Sequence, residues 1–233
     1  MALIRITVGP VSEQGMDVLR WSVQNFKALY PECDVCVCFN QIGSGSLSKL
    51  NVPLVKQEDY IHSLPYPPLD DYQVAWKIYP PRLRPDEHEV IVDNDILVFK
   101  RIKELDDFLK SDSVLLYQGL NEGRCGQYQD LVPSGIRINS GIFGMPPGFD
   151  PEFESIIRPW NNYYDEQGLV AAALLRHPRY QILPLTKVPI VQVGWSIKDF
   201  LRNEQICGIH FAGVNIQYHP KFDWFQKQRL CLM

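Results

Sequence analysis

Two carboxylates stand two residues apart in "EVIVDNDILVFK", residues 89–100. Val90, Ile91 and Val92 run apolar into Asp93-Asn94-Asp95, and Ile96, Leu97, Val98 and Phe99 resume the apolar run. Alternate side chains of an unbent strand share a face, about 7 Å apart. Asp93 and Asp95 are therefore expected to project together if the strand continues through them. Like charges in a partly dry site repel and resist ionisation. A divalent cation removes that conflict, and hard carboxylate oxygens suit magnesium or manganese, which take one or two carboxylates with phosphate oxygens and water. Ligands of open α/β sheets gather at the carboxyl ends of strands. The placement fits a metal–diphosphate site. On these residues alone a solvated turn or a polar strand end fits as well, because Asp-x-Asp recurs by chance.

The elements that must position these groups are legible as an alternation. "LIRITV" (3–8) reads as a strand, and Met16, Leu19, Val23, Phe26 and Tyr30 recur at helical spacing from Glu13 to Tyr30. Pro31 ends that helix. "DVCVCFN" (34–40) is a second strand, "GSGS" (43–46) a loop and "VPLVKQ" (52–57) a third strand. This β-α-β order implies parallel strands joined by a right-handed crossover. The proline-rich stretch 62–72 is expected to be a loop, and "QVAWKIY" (73–79) a short helix stopped by Pro80-Pro81. After the aspartates come a helix over 101–110, a strand over 113–118 and a polar loop over 119–138. "INSGIFGM" (138–145) is a strand, followed by helices over 151–160 and 165–176 and by strand-like "YQILPL" and "ICGIHFAG".

The 233 residues show no repeat and no composition shift, so a single domain over 1–233 is expected. A hydrophobic content of 45% is enough for a sizeable core. The net charge of -4 argues against a nucleic-acid partner. No apolar run approaches the roughly 20 residues of a transmembrane helix, and the opening "MALIRITVGPV" lacks the pattern of a secretory signal. A cytoplasmic protein is expected, either free or peripheral at the inner face of a membrane. Cys33 and Cys36 have half the spacing of a zinc knuckle with no second pair, so the cysteines read as structural thiols.

The chain resembles the GT-A glycosyltransferases of family eight, the retaining group that includes glycogenin and bacterial lipopolysaccharide galactosyl- and glucosyltransferases. The resemblance lies in Lys77 of "AWKIYPPRL", the strand ending in "VIVDNDILVF", Asn139-Ser140-Gly141 of "INSGIFGM", Glu166-Gln167-Gly168 of "DEQGLV", and His210 and Gly213 of "IHFAG". These stand in the family's order over residues 77 to 213, and "IRITVG" matches its first nucleotide-binding strand. The family's histidine motif continues into Lys-Pro-Trp; here "GVNIQYHPKF" stands, with His219 and Lys221 as possible substitutes. The acidic residue before the glutamine is often aspartate; here it is Glu166, with Asp165 beside it.

The resemblance implies an α/β GT-A domain with a mixed, mostly parallel central sheet. It implies transfer of a hexose from a nucleotide sugar, UDP-linked by expectation, to a hydroxyl acceptor, with retention. Asp93, Asp95 and His210 are expected on Mn2+ or Mg2+. Thr7, Val8, Gly9, Lys77, Asn94, Asn139, Ser140 and Gly213 are expected on the donor, and Asp165, Glu166 and Gln167 at the reaction centre. Plainer roles fit the same residues. Lys77 could be solvated on its helix, Asn139 could cap a turn, and Gly141 could mark a bulge. Asp165 and Glu166 are acids of the kind favoured at a helix N-terminus. Arg82 and Arg84 are phosphate candidates or salt-bridge partners. Trp160, Tyr163, Tyr164 and Trp195 either stack on an acceptor sugar or pack in the core. Two alternatives stay open: a catalytically silent sugar-nucleotide or glycan binder on the same scaffold, and a phosphohydrolase of the haloacid dehalogenase type.

Overall fold

The structure, a computed structural model, describes residues 1–63, 77–191 and 203–211. Its strands are β1 (Ala2–Val8), β2 (Cys33–Phe39), β3 (Leu54–Lys56), β4 (Glu89–Asp93), β5 (Ile96–Val98), β6 (Val114–Gln118), β7 (Ile138–Met145), β8 (Tyr180–Leu183) and β9 (Gly208–His210). The helices are α1 (Glu13–Leu29), α2 (Ser44–Leu47), α3 (Lys103–Phe108), α4 (Phe153–Ile156) and α5 (Asp165–Leu174). Seven strands form one sheet in the order β3-β2-β1-β4-β7-β6-β8. Only β7 runs against its neighbours, β4 and β6; the other pairings are parallel. The mixed, mostly parallel sheet that the resemblance implies is therefore present. β5 and β9 form a separate antiparallel pair.

Period-two alternation divides the core between the two faces of the sheet. Ile4, Ile6 and Val8 of β1 pack with Val90 and Val92 of β4 against Leu19, Val23 and Phe26 of α1. Ser12 caps α1, its Oγ accepting from the Gly15 amide at 3.2 Å. Ile91, on the other face of β4, joins Leu116, Phe143 and Met145 under α5. Every residue of α5 is buried, its acids included. A helix apolar all round belongs inside a fold, and the Leu-Val-Ala-Ala-Ala-Leu run of α5 meets that condition. The five described cysteines are buried and unbridged.

The largest departure from the sequence reading falls at the aspartates. The strand does not run through them: β4 ends at Asp93, Asn94 and Asp95 turn, and β5 leaves the central sheet to pair with β9. Other boundaries move as well. Ser44–Leu47 forms α2 where a loop was expected, and a 3-10 turn over Gly126–Leu131 interrupts the long loop. The helix expected over 151–160 shrinks to α4, because Arg158 precedes Pro159 and the residue before proline avoids the helical region. Of the helix expected over 73–79, residues 73–76 lie outside the described residues, and Lys77 and Ile78 sit in a 3-10 turn.

Candidate active site

Asp93 closes β4, and Asp95 follows in the turn that opens β5. Pairing of β5 with β9 sets Ile96 opposite His210, which carries the imidazole to the aspartates. One ligand atom from each of Asp93, Asp95 and His210 lies within 4.8 Å of the others. Asp95 Oδ1 is 3.3 Å from His210 Nε2. Burial works to raise the Asp95 carboxyl, but His210 and then Lys77 outweigh it and hold the group below its ordinary range. Asp95 Oδ1 and His210 Nδ1 are buried and make no hydrogen bond among the described residues. Buried polar atoms without a hydrogen bond cost free energy unless something satisfies them. A divalent cation does so, and the residues present fit one. His210 is packed between the Tyr117 ring, centroids 5.7 Å apart, and Gly141, where a Cβ would fall 2.5 Å from its Cε1.

Lys77 is 6% exposed and lies among acceptors. Its Nζ is 2.8 and 3.0 Å from the two Asp93 oxygens, 3.4 Å from both the carbonyl and Oγ of Ser140, and 3.6 Å from Glu166 Oε1. Burial would strip its proton, but Asp93 and Glu166 outweigh burial and raise the lysine above its ordinary value. Ser140 Oγ donates to Glu166 Oε2 at 2.8 Å. Burial pushes Glu166 up from 4.5 to about 7; Lys77 opposes the rise and Asp93 adds to it. Lys77, Asp93, Ser140 and Glu166 thus form one buried network beside the Asp93–Asp95–His210 cluster.

Asn139 Nδ2 donates to Gln167 Oε1 at 3.2 Å, and Gln167 Nε2 donates to the Arg124 carbonyl at 2.5 Å. Asn139 Oδ1 accepts from the Gly141 amide at 2.8 Å. Thr7 lies opposite Asp93 in the β1–β4 register and donates to the Val92 carbonyl at 3.4 Å. Val8 and Gly9 follow at the carboxyl end of β1, and Asn94 is half-buried in the turn between the aspartates. Asp165 has a different environment. Its carboxylate accepts four hydrogen bonds, from the Gln127 amide (2.9 Å), Gln127 Nε2 (3.1 Å) and the amides of Asn161 (2.6 Å) and Asn162 (3.0 Å). That geometry fastens the Gly126–Leu131 turn to the head of α5, and none of these partners belongs to the Lys77 network.

Arg82 and Arg84 are also occupied elsewhere. Arg82 donates to the carbonyls of Pro146, Phe149, Arg84 and Glu87, and Arg84 pairs with Asp34 and Glu87. Tyr163 is 51% exposed, yet its phenol, raised first by burial, also feels Lys77, Asp93, Glu166 and Asp95. Tyr163 and Tyr164 meet edge-to-face at 5.6 Å, and the Arg124 guanidinium lies 5.5 Å from the Tyr164 ring. Trp160 packs beside the α5 core. Gly213, Trp195, His219 and Lys221 lie outside the described residues. Sequence reasoning missed Arg124, which a loop position hides, and Arg5, whose signal was plain: a charge at the centre of the apolar run "LIRITV".

No protein-family model and no curated protein sequence matches the chain. Solved structures do share its fold. The apo structure of the bifunctional glycosyltransferase WbbM matches with a TM-score of 0.67 at 12% identity, over 97% of this chain and 51% of that one. This chain therefore spans about half the length of the WbbM structure. Galactosyltransferase LgtC, in complex with donor and acceptor sugar analogues, matches at 0.59 and 12% identity, over 99% of this chain and 94% of that one. Mouse xyloside xylosyltransferase 1 matches at 0.53 and 12% identity, over 91% and 98%. The fold is that of the GT-A glycosyltransferases.

Proposed function

We propose that the chain is a metal-dependent glycosyltransferase of the family-eight kind. It would move a hexose from a nucleotide sugar, UDP-linked in our reading, to a hydroxyl acceptor with retention. The observation that carries this reading is the convergence of Asp93, Asp95 and His210 at the carboxyl end of β4, beside the buried Lys77. A bound Mn2+ or Mg2+ would supply Lewis-acid stabilisation of the leaving diphosphate. Asp93, Asp95 and His210 would hold it. Lys77 adds a fixed positive charge near the phosphates, with the carboxyl end of β1 at Thr7, Val8 and Gly9, and Asn94, taking the nucleotide. Asn139 and Ser140 address the sugar. Glu166 and Gln167 face the reacting carbon, and the exposed Tyr163 and Tyr164 form the acceptor side. The GT-A fold favours this reading over the phosphohydrolase. The free, buried cysteines fit a reducing compartment, so we place the protein in the cytoplasm or at the inner membrane face. Among the described residues no helix is long and apolar enough to cross a membrane.

Calorimetric titration of UDP in the presence of manganese tests the reading. Binding that disappears in EDTA supports it. Absence of binding to UDP, GDP, ADP and CDP alike, with manganese present, overturns the nucleotide-sugar assignment. A second expectation concerns Gly141. In Gly141→Ala the new methyl must displace the His210 ring, since its nearest contact would be 2.5 Å. Manganese affinity is expected to fall by about tenfold or more, the scale seen when the support of a metal ligand is disturbed. Calorimetry against wild type reads the change directly, and unchanged affinity would remove His210 from the ligand set.

A further inference from the structure

We propose that Arg5, with its partner Glu89, is a positioning residue that fixes Lys77 against Asp93, Ser140 and Glu166. The role assigned to Lys77 at the donor rests on the function proposed above; the clamp itself rests on geometry alone. Arg5 sits at the centre of β1 and is 0% exposed. A guanidinium in a covered sheet face loses its hydration, and only excellent partners offset that loss. Arg5 has them. Nη1 donates to the Pro80 carbonyl at 2.7 Å and lies 2.9 Å from Glu89 Oε1; Nη2 donates to the carbonyl of Lys77 itself at 2.6 Å.

Glu89, also 0% exposed, holds the far end of the same segment. Its Oε2 accepts from the amides of Leu83 and Arg84 at 2.8 and 3.1 Å. Gln57 Nε2 donates to the Tyr79 carbonyl at 2.8 Å. The stretch from Lys77 to Arg84 contains Pro80 and Pro81 and belongs to no strand, so its buried backbone groups have no ladder to join. Side chains from the sheet supply the missing partners instead.

Register explains why this serves the site. Leu3, Arg5 and Thr7 share one face of β1, and Glu89, Ile91 and Asp93 share the matching face of β4. The parallel pairing sets Leu3 opposite Glu89 and Thr7 opposite Asp93. The clamp therefore lies on the face that ends, one alternation later, in the Asp93 carboxylate. Lysine is a point charge on a flexible stem, so where its ammonium rests depends on where its backbone is held. An apolar pair of similar volume would fill the same space. What it would not do is hold the carbonyl of Lys77.

The test uses Arg5→Lys, which keeps the charge but loses the planar fork, and Arg5→Met/Glu89→Gln, which removes both charges of the pair while an amide oxygen remains for the Leu83 and Arg84 amides and for Arg82 Nε, 3.7 Å away. In 15N-lysine-labelled, metal-free protein the Lys77 ammonium resonance, assigned by its loss in Lys77→Arg, reports the position directly. It is expected to shift or be lost to exchange in a variant that still melts cooperatively and, in a uniformly 15N-labelled sample, keeps its strand amide pattern. An unchanged Lys77 resonance in a folded variant overturns the proposal. A second arm measures UDP affinity with manganese. Arg5→Lys is expected to weaken it about tenfold, but less than about twofold in a Lys77→Met background, because residues acting through one another are not additive. Additive losses would show a general structural role and overturn the proposal. If Lys77→Met alone leaves UDP affinity unchanged, the donor-site reading of Lys77 fails, while the resonance still decides the clamp.

Discussion

In Asp93→Asn and Asp95→Asn, turnover is expected to fall by at least about 10²-fold, because on the function proposed above each removes a negative charge from the site that would hold the cation against the leaving diphosphate. The two variants are not equivalent. Asp93 is bound through both oxygens to Lys77, at 2.8 and 3.0 Å, so Asp93→Asn also loosens the ammonium from its main counter-charge. Asp95 pairs with His210 instead, and its loss leaves the Lys77 network intact. Asp93→Asn is therefore expected to be the more severe. Raised manganese should restore part of the activity of Asp95→Asn and little of Asp93→Asn. Asparagine is close in shape and Asp95 is 22% exposed, so Asp95→Asn should melt near wild type, whereas Asp93→Asn, which takes the main counter-charge from buried Lys77, should melt lower. Steady-state kinetics across a manganese series, with thermal melts as control, checks this. Near-wild-type turnover in both variants would remove the metal assignment.

How the aspartates come together was only half legible in the sequence. The apolar run Val90–Ile91–Val92 dictates a buried strand, and the strand is there. The apolar run that follows looks identical to a window of hydrophobicity, yet Ile96–Val98 pairs with Gly208–His210, more than 100 residues away. Periodicity reads local pattern and cannot report which distant strand completes a pair. The two-residue spacing thus pointed to two carboxylates that do come together, but by an unbent strand that does not exist. Lys77, Glu166 and His210 entered through motif resemblance, and the geometry brings Lys77 and Glu166 into one network with Asp93. Asp165 shows the opposite limit. It adjoins Glu166 in sequence, but successive helical residues face different ways, and its carboxylate is taken by the amides of Asn161, Asn162 and Gln127. Arg5 was legible as an anomaly without a meaning, because its partners at Lys77, Pro80 and Glu89 lie 72 or more residues along the chain.

Glu166→Gln is expected to make the metal-free protein more stable at high pH and the enzyme at least about 10²-fold slower. The buried carboxyl titrates near 7 in the folded state, raised from an ordinary 4.5 mainly by burial. A raised acid holds its proton more tightly when folded. Its favourable contribution is complete below the unfolded value and is lost as pH climbs from there through the folded value, a linkage of about 3 kcal/mol in full. Above pH 7 wild type therefore buries a charge that Lys77 only partly offsets, at 3.6 Å. Glutamine removes that charge. Its amide oxygen can face Lys77 while its nitrogen donates to Ser140 Oγ, so the hydrogen bonds survive. Urea unfolding in EDTA at pH 5 and pH 8 should give near-equal stabilities at the lower pH and a more stable variant at the higher, by about 1–3 kcal/mol. Equal stabilities at both would mean an ordinary carboxyl. A buried charge held against stability is the trade that functional sites make when turnover depends on it. Loss of activity together with gained stability would separate a reaction-centre role for Glu166 from the packing role that its 2% exposure also permits.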